Sequence, residues 1–310
     1  MNKKVVILGG GTGMSTLLKG LKQFPIDITA IVSVCDDGQS TGRLREEFNI
    51  VAVGDIRKVL VSLSETEPLV KELLNYRFQT TSDLNGHTVG NLILTALTNI
   101  TGNLSDGIES LKVLPLTEDN VTLVAEMDDH KIVEGEHHIT ESKGKIKHIF
   151  YREEPIVNPL VLKAIEEADL IIFSMGSLYT SILPNLICKE VNQALDSSDK
   201  KMMYVSNMMT QPGETDRFKV SDHVKVLNQY LGTHKVNVVV ANDGEIKEEV
   251  ARKYETLEEK DQVILDRDEL QQMNVEVIEN DYVTIENDII RHQVDKLALD
   301  IYSYLINKVD

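Results

Sequence analysis

The stretch Val5-Val6-Ile7-Leu8-Gly9-Gly10-Gly11-Thr12-Gly13 decides the fold. Successive side chains of a strand point to opposite faces. A run that is apolar at every position is therefore buried on both sides, as in a parallel sheet covered by helices. Immediately after it, Thr16–Gln23 places Leu17, Leu18 and Leu21 on one helical face. A strand, a glycine turn and a helix make the first unit of an α/β fold. The glycines permit positive φ and let backbone amides come close to a ligand. The helix N-terminus adds further amides and a dipole that favours an anion. The GxGxxG spacing is not met, because the sixth residue from Gly9 is Met14, and no Lys-Ser/Thr follows to make a Walker loop. The loop therefore points to a phosphate-bearing ligand without naming NAD or ATP. A tight strand-to-helix turn would also account for its glycines.

Outward from this stretch the same pattern recurs. Ile28–Val34, Leu170–Phe173, Met202–Val205 and Val236–Ala241 are further apolar runs. Helical spacing marks Asp55–Ser64, Asn91–Asn99, Pro159–Glu167, Lys219–Leu231 and the tail Val294–Val309. Strands alternating with helices predict a Rossmann-like, doubly wound α/β fold with a mostly parallel sheet. From about 111 to 152 the pattern becomes alternating: Val121, Leu123, Ala125 and Met127, then Ile132 and Val133, His137 and Ile139, and Ile146, His148 and Phe150. Turn signals fall at Asp128-Asp129, Glu134-Gly135 and Lys143-Gly144. This predicts a small antiparallel β meander inserted in one Rossmann-like domain spanning 1–310. Lys247–Asp268 is charge-rich and reads as a solvated helix and loop.

Composition excludes several functions. Across 310 residues, 50 acids against 32 Lys and Arg leave a formal charge of −18. Broad nucleic-acid binding needs a basic patch to release counterions, and an anionic membrane surface needs the same. Neither partner is expected. No apolar stretch reaches the roughly 20 residues of a membrane span, and Val5–Leu8 is shorter than the roughly 7–15 residues of a secretory core. Cys35 and Cys188 make no CxxC spacing. These features predict a cytoplasmic chain; a homo-oligomer stays open.

Candidate site residues cluster at strand ends. After Gly10, Gly11, Thr12 and Gly13 comes Cys35-Asp36-Asp37-Gly38-Gln39-Ser40-Thr41-Gly42-Arg43 at the end of the second strand. Acids there can hold ribose hydroxyls, Asp36 and Asp37 are candidate Mg²⁺ ligands, and the Arg43 fork suits a phosphate. A solvated Asx turn explains the same residues. Asp55 is placed to cap a helix, and His87 precedes another helix start. Ser174-Met175-Gly176-Ser177 follows the strand Leu170–Phe173 as a second glycine turn, and the two turns can flank one crevice. Asn207 ends the next strand, where it can reach a base or sugar, and Glu214 fits an ordinary first-turn acid. His130, His137 and His138 have no zinc-site spacing.

Taken in order, Gly9–Gly13, Asp36–Arg45, Gly54-Asp55-Ile56-Arg57, Gly90-Asn91-Leu92, Gly176–Ser181 and Asn207–Thr215 resemble the YvcK/CofD-like family, on its YvcK (GlmR, gluconeogenesis factor) branch, over nearly the whole chain. Two positions depart from it: Gln39-Ser40-Thr41 within an often Gly-Ser-Ser segment, and Ser174-Met175 where Gly-Pro is frequent. The resemblance implies a Rossmann-like core with a ligand crevice. The CofD branch comprises Mg²⁺-using 2-phospho-L-lactate transferases. The YvcK branch comprises regulators of growth and cell shape on gluconeogenic carbon, which bind UDP-sugars such as UDP-GlcNAc and are linked to an enzyme partner of glucosamine-6-phosphate synthesis. It further implies that Thr12 meets a diphosphate, Asn207 the uridine or sugar, and Tyr254 and Arg291 close the far side. Arg291 could instead pair with Asp288. The expectation is a non-catalytic regulator needing no cofactor, with a CofD-like transferase using Asp36, Asp37 and Mg²⁺ as the alternative.

Overall fold

The computed structural model describes residues 2–108, 112–142, 144–286 and 289–309. Its strands in chain order are β1 (Lys3–Gly9), β2 (Ile26–Val32), β3 (Val113–Pro115), β4 (Leu123–Met127), β5 (Ile132–Glu134), β6 (Ile146–Tyr151), β7 (Leu170–Phe173), β8 (Lys201–Val205), β9 (Val238–Asn242), β10 (Glu276–Asn280), β11 (Val283–Glu286) and β12 (Ile289–His292). Seven form one sheet in the order β10-β9-β8-β7-β1-β2-β3. Every neighbouring pair in it is parallel. The chain thus winds from β1 outward through β2 to β3, then starts again on the other side of β1 with β7. The reversal between β1 and β7 is a topological switch point, where a crevice opens beyond the strand C-termini.

The expected apolar runs are the sheet's centre. Val5 to Leu8, Leu170 to Phe173 and Met202 to Val205 are all buried. Helices predicted at 159–167, 219–231 and 294–309 fold as Pro159–Glu167, Val220–Tyr230 and Val294–Lys308. The segment predicted as one meander divides. β3 joins the edge of the parallel sheet, while β5-β4-β6 form the antiparallel sheet. His137 and Ile139, expected on a strand, lie in the helix Glu136–Glu141. Gly135 causes the change: at φ +91 it turns the chain out of β5, and the Asp37 carboxylate accepts the His137 N–H at 2.8 Å in the new helix's first turn. Leu111 and Lys143, two markers of the predicted insertion, lie outside the described residues.

The terminal helix is a wall of the first layer. Gly20, in the helix Gly11–Leu21, lies directly against it: a Cβ there would stand 2.6 Å from Val294 Cγ1, 2.8 Å from Ala298 Cβ and 2.9 Å from the Val294 carbonyl oxygen. On helix propensity alone, Gly20→Ala would stabilise by about 1 kcal/mol. The overlap includes backbone and reverses the sign, so the variant should lose roughly 1–3 kcal/mol in urea unfolding. An unchanged or raised midpoint would contradict this packing.

Candidate functional site

The turns after β1 and β7 meet at the switch point. Gly13 lies so close to the backbone of Met175 and Gly176 that any Cβ on it would overlap the Met175 carbonyl. Gly10 is pressed from below, with a notional Cβ 2.7 Å from Asp55 Oδ2. Gly11 adopts φ +65, a conformation glycine takes without steric cost. Gly10 caps the helix Gly11–Leu21 without a side-chain hydrogen bond. The first-turn amides have no carbonyl one turn back to receive them. Asp55 accepts the Gly11 N–H, so the amides after Gly11 are those left to a ligand. Asp55 itself was expected as a helix cap. It sits instead inside the first turn of the helix Val53–Leu63, whose cap is Ala52. Its carboxylate supports the glycine turn and pairs with Lys58 at 2.8 Å. Burial raises its pKa.

The second turn carries a hydroxyl relay. Ser177 Oγ accepts the Thr180 N–H at 3.2 Å and the Thr180 hydroxyl at 2.7 Å, and donates to Glu214 Oε2 at 2.5 Å. The following turn, Leu178–Ile182, is a widened π-type turn, a feature frequent at functional sites. Gln211 Nε2 donates to the other oxygen of Glu214 at 2.5 Å, and Thr140 Oγ1 to the same oxygen at 3.4 Å. Glu214 was read as an ordinary helix-start acid. It is a buried carboxyl that joins three cleft-lining segments, and desolvation pushes its pKa up to about 7. Glu136 is likewise raised, to about 8, first by burial and then by Asp36, Asp55 and Asp37. Ser174 buries its Oγ against Gly9 without a hydrogen-bond partner.

A cleft of about 780 Å³ opens above these turns. Gly10, Gly11, Thr12, Gly13, Gly176, Ser177, Asn207 and Tyr254 all line it, so the structure brings these predicted residues together. Asn207 also braces the site: its Nδ2 donates to the Gly176 carbonyl at 2.9 Å and its Oδ1 accepts from Tyr204 OH at 3.1 Å. Tyr254 OH accepts the Ile290 N–H at 2.9 Å, hooking the helix Glu248–Glu258 to the β11–β12 hairpin. Arg291 is exposed on β12 and is not among the lining residues, although its neighbours Ile290 and His292 are. Asp288, its suggested partner, lies outside the described residues.

The other predicted residues lie apart from this lining. Arg43 is exposed and gives its guanidinium to the carbonyls of Asp83 (3.3 Å) and Asn85. His87 is buried with Nδ1 against Ser40 Oγ at 3.0 Å. Asp36 and Asp37 are held by different partners. Asp36 accepts from the Gly38 N–H and the Thr41 hydroxyl, both at 3.0 Å, whereas Asp37 accepts the His137 N–H. The two carboxylates are thus held by different donors. Among the described residues no group of three or more His, Cys, Asp or Glu side chains is gathered as for a metal. The local sequence gave no sign of Thr140, Lys260 or His292 as lining residues; they arrive from distant loops.

These features define a Rossmann-like α/β protein with a nucleotide-sized cleft at its switch point. Residues 5–283 match the family model described as 2-phospho-L-lactate transferase CofD. The chain is 47% identical to the gluconeogenesis factor of Bacillus subtilis over 305 residues, covering 95% of this chain and 96% of that protein. It is 42% identical to the gluconeogenesis factor of Halalkalibacterium halodurans over 306 residues, covering 96% and 94%. A crystal structure of a UPF0052-family protein from Bacillus halodurans superposes with a TM-score of 0.92 at 40% identity, covering 97% of this chain and 99% of that one. The chain belongs to the CofD family, on the branch whose members are named gluconeogenesis factor. No helix among the described residues is long and apolar enough to cross a membrane.

Two outcomes test the site's construction. Gly13→Ala improves helix propensity by about 1 kcal/mol, yet should destabilise by roughly 1–3 kcal/mol because rigid backbone occupies the space; a urea midpoint at or above wild type would refute the loop contact. Glu214 titrates near 7 in the folded chain against an ordinary 4.5. The folded state therefore holds the extra proton between those values, and the stability this group contributes falls as pH rises through that window. Glu214→Gln should flatten the dependence of melting temperature on pH from 5 to 7, leaving the slope from Glu136 that extends to about 8. Parallel wild-type and variant profiles would contradict the assignment.

Proposed function

We propose that this protein is a regulator that binds a nucleotide sugar of the UDP-GlcNAc type in the switch-point cleft and supports envelope-precursor synthesis and cell shape during gluconeogenic growth. The observation that carries the reading is the contact of two glycine-rich turns beneath one cleft. Together they offer the uncapped amides of the helix Gly11–Leu21, the Thr12 hydroxyl and the remaining Nδ2 hydrogen of Asn207 to a single ligand. The volume suits a nucleotide sugar, within the roughly 300–1,000 Å³ usual for small-molecule sites. The polar lining gives hydrogen-bond donors for a diphosphate and a sugar, and Tyr254, Ile289 and Ile290 offer an apolar side for a base. Thr12 is assigned to the diphosphate and Asn207 to the uridine or sugar. Regulation of an enzyme of glucosamine-6-phosphate synthesis would follow from a liganded and an unliganded form with different affinities for that partner.

A CofD-like 2-phospho-L-lactate transferase is the second reading, favoured by the family match itself. It would require Asp36 and Asp37 to meet at one Mg²⁺; here Asp36 accepts from the Thr41 hydroxyl and Asp37 from the His137 N–H. Calorimetric titration of the full chain with UDP-GlcNAc, GTP and NAD, with and without Mg²⁺, separates the two. The regulator reading expects metal-independent UDP-GlcNAc binding without turnover. Mg²⁺-dependent consumption of a nucleotide-activated phospholactyl donor would overturn it. Arg291 is also tested here: if it closes the far side when ligand binds, Arg291→Ala weakens UDP-GlcNAc binding, and unchanged binding removes that role.

A further inference from the structure

The cleft's own electrostatics single out a residue that neither arginine expectation anticipated. Among the described lining residues, Glu258, Lys260 and His292 are the ones able to carry charge. His292 is neutral at physiological pH: desolvation lowers its pKa to about 4, and Nε2 donates to the Ser206 carbonyl at 3.2 Å. Lys260 is thus the one lysine or arginine among them. It is paired with Glu258, Nζ to Oε2, at 2.6 Å.

Lys260 is also fixed in place by its backbone. The helix Glu248–Glu258 ends at Glu259 with φ +54, which turns the chain toward the cleft. The Lys260 N–H donates to the Tyr254 carbonyl at 3.3 Å. The next residues are stitched to the loop after β8. Asp261 N donates to Thr210 Oγ1, Thr210 N to the Asp261 carbonyl and Val263 N to the Met208 carbonyl, at 2.8, 2.8 and 2.9 Å. Met208 and Thr210 line the cleft too. The ammonium is therefore carried on an anchored backbone with only its own flexible stem to move. Both partners of the pair are partly solvated, with side-chain exposures of 34% and 48%. An ion pair of that kind is weak and readily exchanged.

We propose that Lys260 binds the diphosphate of the nucleotide ligand, and that Glu258 is a built-in counterion which holds the ammonium in the empty cleft and is displaced when the ligand arrives. This deepens the nucleotide-sugar reading and rests on it. It explains how a chain of charge −18 can accept a dianion: one local cation and the helix amides act at short range, and salt screens the distant acids. It also makes Glu258 a competitor of the ligand, so its removal should favour binding.

Calorimetric titration of UDP-GlcNAc into wild type, Lys260→Ala, Lys260→Arg and Glu258→Gln tests this, with melting temperatures to show that each variant is folded. Lys260→Ala should weaken binding roughly 10- to 100-fold, the scale of a lost charge-assisted hydrogen bond. Lys260→Arg should restore most of the affinity. Glu258→Gln should tighten binding about 2- to 5-fold, the scale of a released exposed ion pair. A wild-type chain that takes up no UDP-GlcNAc overturns the nucleotide-sugar reading. A wild type that binds, with Lys260→Ala binding equally well, overturns the role of Lys260 alone. Weaker binding by Glu258→Gln overturns its role as counterion.

Discussion

The backbone of Gly13 against that of Met175 and Gly176 is the contact on which the rest depends. β1 and β7 are adjacent in the sheet but belong to windings that run in opposite directions. Their C-terminal turns must therefore share one narrow space, and side chains at these positions would force them apart. Glycine lets the turns close, and closure sets the floor of the cleft. Asp55 fixes that floor from below through the Gly11 amide. Asn207 ties the next strand's end to Gly176, and Glu214 ties Ser177 to Gln211 and Thr140. The site is thus a set of loop ends held at fixed separation by buried polar groups. Such groups are costly to leave unpaired, so the network that holds the loops also resists their rearrangement.

Electrostatics follow the same division between floor and surface. Burial first, and then the nearby Asp36, Asp55 and Asp37, raise the Glu136 pKa to about 8. That region is unsuited to an extra anion at neutral pH. The cleft lining, by contrast, holds Lys260, Glu258 and a neutral His292. The acidic composition describes the outer surface and the neighbouring carboxylate cluster, and the cleft is locally near neutral.

The centre of the fold was legible in the sequence because strands buried on both faces leave continuous apolar runs, as in Val5–Leu8 and Leu170–Phe173. The edges were not. β3 has three residues, and β10, Glu276–Asn280, is half-exposed, so neither leaves such a run. The helix at Glu136–Glu141 was hidden because only Ile139 is buried in it, which one-in-two spacing imitates as well as one-in-four. The site divides in the same way. Glycines straight after apolar strands announced both turns. Nothing local distinguishes Lys260 from the other charges of Lys247–Asp268, because its place comes from backbone bonds to a loop fifty residues earlier. Arg43 looked suited to a phosphate from its company of Gly, Ser and Thr, yet folding commits it to the carbonyls of Asp83 and Asn85.

The central claim is that one ligand sits on both glycine turns at once. Amide chemical-shift mapping of the labelled chain during UDP-GlcNAc addition tests it most directly. The account predicts the largest changes at Thr12, Gly13, Gly176, Ser177 and Asn207, saturating together at one affinity. Changes confined elsewhere, or at one turn with the other silent, would contradict it.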